Sequence, residues 1–314
     1  MEKIKIVVAG IGGVGGYFGG LLAKQFQMHE KVEISFLARG EHLKAIQESG
    51  LRVIKGNSEF ICNPRIATDN PMEIGTVDYA IISTKSYDLE SVLLQLQPCI
   101  NRETVILPLL NGVDIREKIE KIYPDNLVTD GCVYIVSRIK EPGVVENSGS
   151  VEKLYFGLNN YDDEKLKILD SLFKEANIES HLSKNISTDI WKKYIFLSSL
   201  ATLTSACDKT AGEIVADEKN FRTLKNLVEE VKQLALAKRV TLPENIAEKT
   251  IATMQALKFE TTTSMHSDYK NKKPETELET LTGYVINEGK KYNVKTPVYA
   301  EMYEILLKKH DRNN

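Results

Sequence analysis

The chain has few of the residues that build a disulfide scaffold or a structural metal site. Its four cysteines, Cys62, Cys99, Cys132 and Cys207, are far apart and form no C-x-x-C pair. The five histidines are scattered as well, so the sequence shows no cluster of metal ligands. Buried thiols of a cytoplasmic protein are the simpler interpretation of these cysteines. We therefore predict neither a disulfide nor a bound metal.

The chain also lacks long apolar runs and a strong excess of either charge. No apolar run approaches the roughly 18 residues of a membrane-spanning helix, and a strand is already predicted where a signal peptide would lie. The 314 residues carry a formal net charge of −3, with 27% charged residues. We expect no nucleic-acid or membrane partner and a cytoplasmic location. The length is sufficient for two domains.

A glycine-rich turn follows the first predicted strand, and residues 4–16 read IKIVVAGIGGVGG. The turn consists of Gly10, Ile11, Gly12, Gly13, Val14 and Gly15, in the pattern G-x-G-x-x-G. Gly10 allows the tight turn, Gly12 lets a pyrophosphate approach the backbone, and Gly15 lets the next helix pack closely on the strand. The N-terminus of that helix offers N–H groups to phosphates. The pattern predicts a dinucleotide site, and a ligand-free strand-to-helix turn is the alternative.

Strand and helix patterns alternate through the first half of the chain. The predicted strands are 3–9, 32–37, 78–83, 104–109 and 127–136, and the predicted helices are 14–27, 41–48, 89–96 and 115–122. This alternation is typical of an α/β Rossmann domain with a doubly wound parallel sheet. Extended segments at 51–54, 59–62, 144–147 and 153–157 are expected to add to that sheet, before a helix at 163–175 and a strand at 178–182.

Helical periodicity dominates from residue 187 onward. The predicted helices are 187–206, 218–238, 244–257, 277–292 and 297–309, with Pro243 and Pro297 in first turns. The polar segment 258–276 is expected to be a loop, or a short helix followed by a loop. We predict a Rossmann domain over 1–184 and an all-α domain over 185–314, with the active site in the cleft between them. A homodimer is suggested only by fold-level analogy with related dehydrogenases.

The end of the second predicted strand distinguishes NAD from NADP. An NAD enzyme usually places Asp or Glu there, about 20 residues after the glycines, to bind the ribose 2′-OH. Here Ala38 and Arg39 occupy that place. A guanidinium suits a 2′-phosphate, so the sequence predicts NADP, with Arg39 as a solvated surface residue the alternative. The arginine also argues against an S-adenosylmethionine methyltransferase.

Further blocks follow one pattern along essentially the whole chain. They are Phe36-Leu37-Ala38-Arg39, Ser83-Thr84-Lys85, Leu110-Asn111-Gly112, Glu141-Pro142-Gly143, Trp191-Lys192-Lys193, Ser264-Met265 and Thr296-Pro297. With these blocks the chain resembles the ketopantoate reductases (2-dehydropantoate 2-reductases). The resemblance implies an oxidoreductase that passes a hydride from NADPH to the 2-keto group of ketopantoate, giving pantoate for pantothenate and coenzyme A synthesis.

The resemblance also implies roles for individual residues. Lys193 matches the family's catalytic lysine, which polarises the carbonyl and supplies the proton; a solvated lysine is the alternative. Asn111 matches an asparagine beside the nicotinamide and the substrate, although Asn-Gly is also a turn signal. Lys85 matches a lysine near the cofactor, and Ile135 matches a backbone contact to the cofactor. The alternatives are a solvated strand-end lysine and a plain core isoleucine.

Two more residues match substrate-binding positions of that family. Ser264 matches a serine that contacts the substrate carboxylate, and Thr262 and Thr263 are close enough to take its place. Glu277 matches an acid that binds a substrate hydroxyl or holds the lysine in place. One extra residue between the serine and the acid makes Glu275 a competitor for that role.

The chain departs from the family pattern around the substrate. Leu197 and Ala201 stand where the family carries asparagines one and two helical turns after the lysine, and Thr282 replaces a third asparagine. Ser198 and Ser199 are candidates to compensate for the lost amides, although they fall at a neighbouring angle on the helix. Each buried hydrogen bond lost is worth roughly 1 kcal/mol or more. The resemblance makes ketopantoate the first expected substrate, whereas the lost amides make a more apolar 2-oxo acid the alternative. An NADP-binding sensor without turnover is a third hypothesis.

Overall fold

The computed structural model describes residues 3–311, which fold into two units. Unit 1 runs through Leu110 and resumes over Asp114–Ile186, whereas unit 2 comprises Asn111–Val113 and the chain from Ser187 onward. Within the described residues, all strands belong to unit 1. Unit 2 is helical.

Unit 1 contains thirteen strands and five α-helices among the described residues. The strands are β1 Ile4–Ala9, β2 Val32–Leu37, β3 Leu51–Lys55, β4 Ser58–Cys62, β5 Ile66–Thr68, β6 Tyr79–Ile82, β7 Val105–Pro108, β8 Leu127–Val128, β9 Asp130–Tyr134, β10 Ser137–Glu141, β11 Val144–Asn147, β12 Lys153–Gly157 and β13 Glu179–Ser183. The helices are α1 Gly13–Phe26, α2 Gly40–Ser49, α3 Leu89–Gln95, α4 Ile115–Glu120 and α5 Glu164–Glu175.

A six-stranded parallel sheet in the order β5-β2-β1-β6-β7-β8 forms the centre of unit 1. Of its middle strands, β6 is apolar and buried throughout and β1 is apolar and buried from Ile6 onward, as expected for a sheet covered on both faces. The chain order reverses between β1 and β6, which places the carboxyl ends of these strands at one ligand-binding edge. Gly10, Arg39 and Ser83 follow strand ends at this edge. The prediction of an α/β fold with a doubly wound parallel sheet is confirmed.

The extra extended segments do not add to this sheet, so that expectation was wrong. Two further sheets form instead, with strand orders β10-β11-β3-β4 and β13-β12-β9. The first of them packs on α1 through glycine positions: a Cβ on Gly16 would lie 2.6 Å from Val145 Cγ2, and one on Gly20 2.8 Å from Val53 Cγ2. Helix α1 therefore presents small residues on a second face, which this separate sheet covers.

Unit 2 packs its helices around one apolar core. The helices are α6 Ile186–Cys207 (whose first residue belongs to unit 1), α7 Ala211–Ala216, α8 Glu218–Ala237, α9 Ile246–Gln255, α10 Ser264–Lys270, α11 Tyr284–Lys291 and α12 Pro297–Asp311. Helix α6 contributes Trp191, Ile195 and Leu203 to this core. In the described part of the chain, no helix is long and apolar enough to cross a membrane, and no three His, Cys, Asp or Glu residues are grouped to hold a metal.

Three local features of unit 2 differ from the sequence prediction. Helix α9 begins at Ile246, so Pro243 lies before its first turn, and the Pro243 carbonyl accepts the Ile246 N–H at 3.0 Å. Helix α7 was missed, although Thr210 and Glu213 form a capping box with the T-x-x-E spacing. The helix predicted over 277–292 begins with a π-helical turn, Glu279–Gly283.

Candidate active site

The turn between β1 and α1 has the backbone that its glycines permit. Gly10 has a φ of +90°, and a Cβ there would lie 2.8 Å from Thr84 Cγ2. A Cβ on Gly15 would lie 2.2 Å from the Gly10 carbonyl oxygen. A Cβ on Gly12 would meet no atom within 4 Å, so this residue faces open space. The fold requires Gly10 and Gly15, whereas the backbone at Gly12 is open to a ligand.

The start of α1 has the features of an anion-binding helix N-terminus. Its N-cap residue, Gly12, has extended backbone and makes no side-chain cap, and this fully described first turn contains no acidic residue. The first N–H groups of a helix have no partner inside the helix, and they carry the positive end of the helix dipole. Phosphate oxygens satisfy both requirements.

Three buried hydroxyls lie next to this turn without a hydrogen-bond partner: Ser83 Oγ, Thr84 Oγ1 and Ser137 Oγ. The backbones of Ser83 and Ser137 also approach the turn closely, because a Cβ on Gly13 would lie 2.3 Å from the Ser137 carbonyl oxygen and one on Gly10 2.9 Å from the Ser83 carbonyl carbon. Buried polar groups are normally paired. These hydroxyls and the open backbone at Gly12 fit a polar ligand of the dinucleotide class.

Sequence reasoning missed these hydroxyls as site residues. The Ser83-Thr84-Lys85 block was part of the family pattern, but only Lys85 received a role. Ser137 has no signal in the sequence, because it reaches the glycine turn only through the packing of the second sheet on α1. Val14 is the second residue of α1, and Ile135 is partly buried against the core of unit 1.

Arg39 is the N-cap residue of α2 and has a carboxylate partner. Its Nη2 lies 3.0 Å from Asp88 Oδ2, with the arginine side chain 81% exposed and the aspartate 28% exposed. Asp88 ends a 3₁₀ turn, Ser86–Asp88, whose N-cap residue is Lys85. An exposed pair of this kind is worth at most about 1 kcal/mol. A phosphate can therefore displace or join the carboxylate at the guanidinium.

In unit 2, Lys193 and Asn111 are within hydrogen-bond distance although 82 residues separate them. Lys193 Nζ donates to Asn111 Oδ1 at 2.8 Å, and the contact is partly buried. The neighbouring Lys192 instead lies 3.5 Å from Asp189, in the preceding turn of α6. An ammonium has three donors, and its bond to the amide oxygen of Asn111 orients it.

Ser264 and Glu277 differ in exposure. Ser264 is the exposed first residue of α10. Its neighbour Thr263 is buried and is used structurally, because its hydroxyl accepts the His266 N–H at 3.2 Å and pairs with Thr204 at 3.1 Å. Thr262 is exposed, like Ser264.

The two candidate acids are in contrasting environments. Glu277 is only 2% exposed, whereas Glu275 is exposed. A buried carboxylate requires polar partners within the protein. Burial therefore makes Glu277 the better candidate for a positioned carboxylate.

Comparison with known proteins identifies the family. Residues 6–161 match the family model "Ketopantoate reductase PanE/ApbA", and residues 185–310 match "Ketopantoate reductase PanE/ApbA C terminal". The crystal structure of 2-dehydropantoate 2-reductase from Porphyromonas gingivalis W83 is 36% identical, with a TM-score of 0.86 over 98% of this chain and 100% of that one. The chain belongs to the ketopantoate reductase family. It is an NAD(P)-dependent oxidoreductase.

Other relatives of this ketopantoate reductase family member have different names. The oxidoreductase YkpB of Bacillus subtilis (strain 168), described as uncharacterized, is 29% identical over 96% of this chain and 97% of its own. A structure of D-mandelate dehydrogenase with NADH and anilino(oxo)acetate is 27% identical, with a TM-score of 0.85 over 99% of this chain and 100% of that one. The fold therefore occurs with more than one named activity.

The serines that were candidates to compensate for the family's asparagines are used in the core, so that interpretation was wrong. Ser198 Oγ donates to the Leu281 carbonyl at 2.6 Å and lies 2.6 Å from the Tyr299 hydroxyl. Ser199 Oγ lies 3.3 Å from the same tyrosine hydroxyl. Both serines are fully buried. Their hydroxyls hold α6 against α12 and the π-helical turn, and they do not replace the lost amides.

Thr282, which replaces the third asparagine of the family pattern, is likewise used in the core. Its hydroxyl lies 2.7 Å from that of Thr202, and both residues are fully buried. Leu197 is partly buried against the unit 2 core, and Ala201 is fully buried. The hydroxyls of the two buried threonines thus hydrogen-bond to each other. The two positions of α6 where the family carries asparagines have only apolar side chains here.

Proposed function

We propose that the chain reduces a 2-oxo acid with NADPH, and that ketopantoate is the substrate. The contact between Lys193 Nζ and Asn111 Oδ1 at 2.8 Å carries this proposal, because it orients an ammonium as a carbonyl reduction requires. The P. gingivalis relative, named 2-dehydropantoate 2-reductase, supports the choice of substrate.

The glycine turn would hold a nicotinamide cofactor, and that group would supply a hydride to C2 of the 2-oxo acid. Lys193 donates a hydrogen bond to the carbonyl oxygen and stabilises the negative charge that develops there. It then transfers a proton to that oxygen, so the carbonyl becomes a hydroxyl and the amine recovers a proton from water. Asn111 keeps the ammonium in position through its amide oxygen.

The cofactor is proposed to be NADPH because Arg39 follows β2 where a carboxylate would bind a ribose diol. A guanidinium forms strong, bidentate bonds with a phosphate. The pairing with Asp88 at 3.0 Å reduces the free charge on Arg39. Because the D-mandelate dehydrogenase relative is described with NADH, cofactor preference is part of the test.

For the substrate, we propose that the exposed hydroxyl of Ser264 binds the carboxylate of the 2-oxo acid. We propose that the buried carboxylate of Glu277 accepts the substrate hydroxyl or holds Lys193. Lys85 and the backbone at Ile135 are proposed as cofactor contacts in unit 1.

A second candidate is the same reaction on a more apolar 2-oxo acid. The hydroxyls of Ser198, Ser199 and Thr202 make buried hydrogen bonds of 2.6 to 3.3 Å within the core. The positions where the family carries asparagines, Leu197 and Ala201, therefore present only apolar side chains, which favours an apolar substrate. An alkyl or aryl side chain needs no hydrogen-bond partner. The D-mandelate dehydrogenase relative, described with anilino(oxo)acetate, is consistent with such a substrate.

The deciding experiment follows the oxidation of NADPH, and of NADH for comparison, with two matched acids. Ketopantoate and 3,3-dimethyl-2-oxobutanoate differ only in the 4-hydroxyl, so the ratio of their kcat/KM values measures recognition of that group. A site that binds a substrate hydroxyl discriminates strongly against an analogue lacking it, and a preference of about a hundredfold or more for ketopantoate would support the first candidate. Equal or reversed values would support the apolar acid. Tight NADPH binding without oxidation by either acid would indicate a sensor.

A further inference from the structure

His42 lies close to both phosphate-binding parts of the proposed cofactor site. It is the third residue of α2, whose N-cap residue is Arg39, so less than one helical turn separates the two side chains. Its ring is partly buried. The sequence alone predicted no role for this histidine and none for the Glu141-Pro142-Gly143 block.

The Gly143 turn determines which nitrogen of His42 carries the proton. The backbone N–H of Gly143 donates to His42 Nδ1 at 2.9 Å. Because Nδ1 is the acceptor, the neutral ring carries its proton on Nε2. Burial lowers the pKa of His42, which favours this neutral form.

A glycine is required at position 143 for this contact. Its φ is +76°, and a Cβ there would lie 2.8 Å from Ala45 Cβ on α2. Its carbonyl accepts the Arg52 N–H at 2.9 Å, which joins the turn to β3. The β10–β11 turn is therefore held against the same helix that carries Arg39 and His42.

The second nitrogen of His42 is a buried donor beside the glycine turn. Nε2 is inaccessible to water and makes no hydrogen bond. The Ile11 carbonyl faces the ring closely enough to raise the pKa of His42, an effect smaller than that of burial. Ile11 lies between the first two glycines of the turn. Buried N–H groups normally have a partner, and the Ile11 carbonyl is an acceptor on the side of the glycine turn.

We propose that His42 is a positioning residue for the cofactor: it joins the Gly143 turn and the start of α2 to the glycine turn at Ile11. When phosphates bind at Gly12, the His42 Nε2–H donates to the Ile11 carbonyl and holds the turn in its binding conformation. This inference rests on the proposed dinucleotide site. It assigns His42 no contact with the substrate.

The test is the substitution His42→Asn in the full chain, with cofactor dissociation constants measured by fluorescence titration. The asparagine oxygen can still accept the Gly143 N–H, but the donor toward Ile11 is lost. We expect the Kd values of NADPH and NADH to rise by a similar factor, about five- to tenfold, as for one net hydrogen bond. The KM for the 2-oxo acid and kcat at saturating cofactor should not change.

His29→Asn is the matched control. His29 also accepts a backbone N–H through Nδ1, from Lys31 at 3.2 Å, but it is exposed and follows the far end of α1. It should leave both Kd values unchanged. His42→Phe removes both contacts of the ring, so it should raise the Kd values at least as much as His42→Asn.

Each outcome decides a different question. An unchanged NADPH Kd in His42→Asn would overturn the inference whatever happened to Tm, because a purely structural residue changes stability alone. A rise in the KM of the 2-oxo acid with unchanged cofactor Kd would also overturn it. If the unmodified chain bound neither NADPH nor NADH, the proposed function would be refuted, and the inference with it.

Discussion

Lys193→Ala should remove most of kcat while leaving NADPH affinity nearly unchanged. A positioned general acid contributes about 10²- to 10⁴-fold to a rate, so kcat should fall by a factor in this range. This corresponds to about 3–5 kcal/mol of transition-state stabilisation. The side chain is partly buried and donates a hydrogen bond from its charged group to Asn111 at 2.8 Å, so the free energy of unfolding should fall by no more than about 1.5–3 kcal/mol.

Lys192→Ala is the matched control, because it removes the same charge from the adjacent residue. Lys192 is paired with Asp189 at 3.5 Å across one turn of α6, which is worth roughly 0.5 kcal/mol or less. Its kcat should stay within about twofold of the unmodified chain.

Asn111→Ala tests whether the amide orients the ammonium. Losing a hydrogen bond to a charged group costs about 1.5–3 kcal/mol, so kcat should fall about 10- to 150-fold. The double variant with Lys193→Ala should be little slower than Lys193→Ala alone, because the two residues act as a unit.

The assay is NADPH oxidation at saturating cofactor, in steady state and in a single turnover, so that chemistry is separated from product release. Equal losses in Lys192→Ala and Lys193→Ala would refute the assignment of the proton donor. Retention of more than about a tenth of kcat in Lys193→Ala would show that a general acid of the usual magnitude is not at this position.

Three further predictions concern the cofactor site and the pH dependence of stability. Arg39→Ala should raise the NADPH Kd about tenfold or more and leave the NADH Kd unchanged. Asp88→Asn should lower the NADPH Kd, but only when Arg39 is present. Fluorescence titration measures the Kd values of both variants. Gly12→Ala should weaken cofactor binding at an unchanged Tm, whereas Gly13→Ala should lower Tm, because its Cβ would lie 2.3 Å from a backbone oxygen. Burial raises the pKa of Asp130 from 3.8 to about 6, so its charged form destabilises the fold and stability falls as pH rises from about 4 to about 6. Asp130→Asn should therefore increase the free energy of unfolding in urea by about 2–3 kcal/mol at pH 8, with no gain below about pH 4; an equal gain at both pH values would contradict this origin.

The local parts of the fold were predictable from sequence. The apolar run of β1, the glycine turn and the 3.6-residue periodicity of α1 and α8 are properties of short segments. The partition into three sheets was not predictable in this way. Strand β11 pairs with β3, roughly ninety residues earlier, and that pairing depends on covering the second face of α1. Strand β5 has only three residues, too few for a periodic signal.

The candidate site was predictable to the extent that its residues lie in local motifs. The G-x-G-x-x-G spacing and Arg39 at the end of β2 are of this kind. Two features arise only in three dimensions: the Asp88 carboxylate on Arg39, and the buried hydroxyl of Ser137 beside Gly13. The roles of Lys193 and Asn111 stay predictions, although the structure places these residues at hydrogen-bond distance.

The hydroxyls of α6 show how a sequence argument about substrate can fail, and they lead to a sharper test. Ser198 was a reasonable substitute for a lost amide, but Tyr299, a hundred positions away, pairs with its hydroxyl. If ketopantoate is nevertheless preferred over 3,3-dimethyl-2-oxobutanoate, its 4-hydroxyl must bind a group outside α6. The buried carboxylate of Glu277 is then the group to change. Glu277→Gln should lower kcat/KM for ketopantoate toward that for the analogue and leave the analogue unaffected; an equal loss for both acids would mean that Glu277 acts on Lys193 rather than on the hydroxyl.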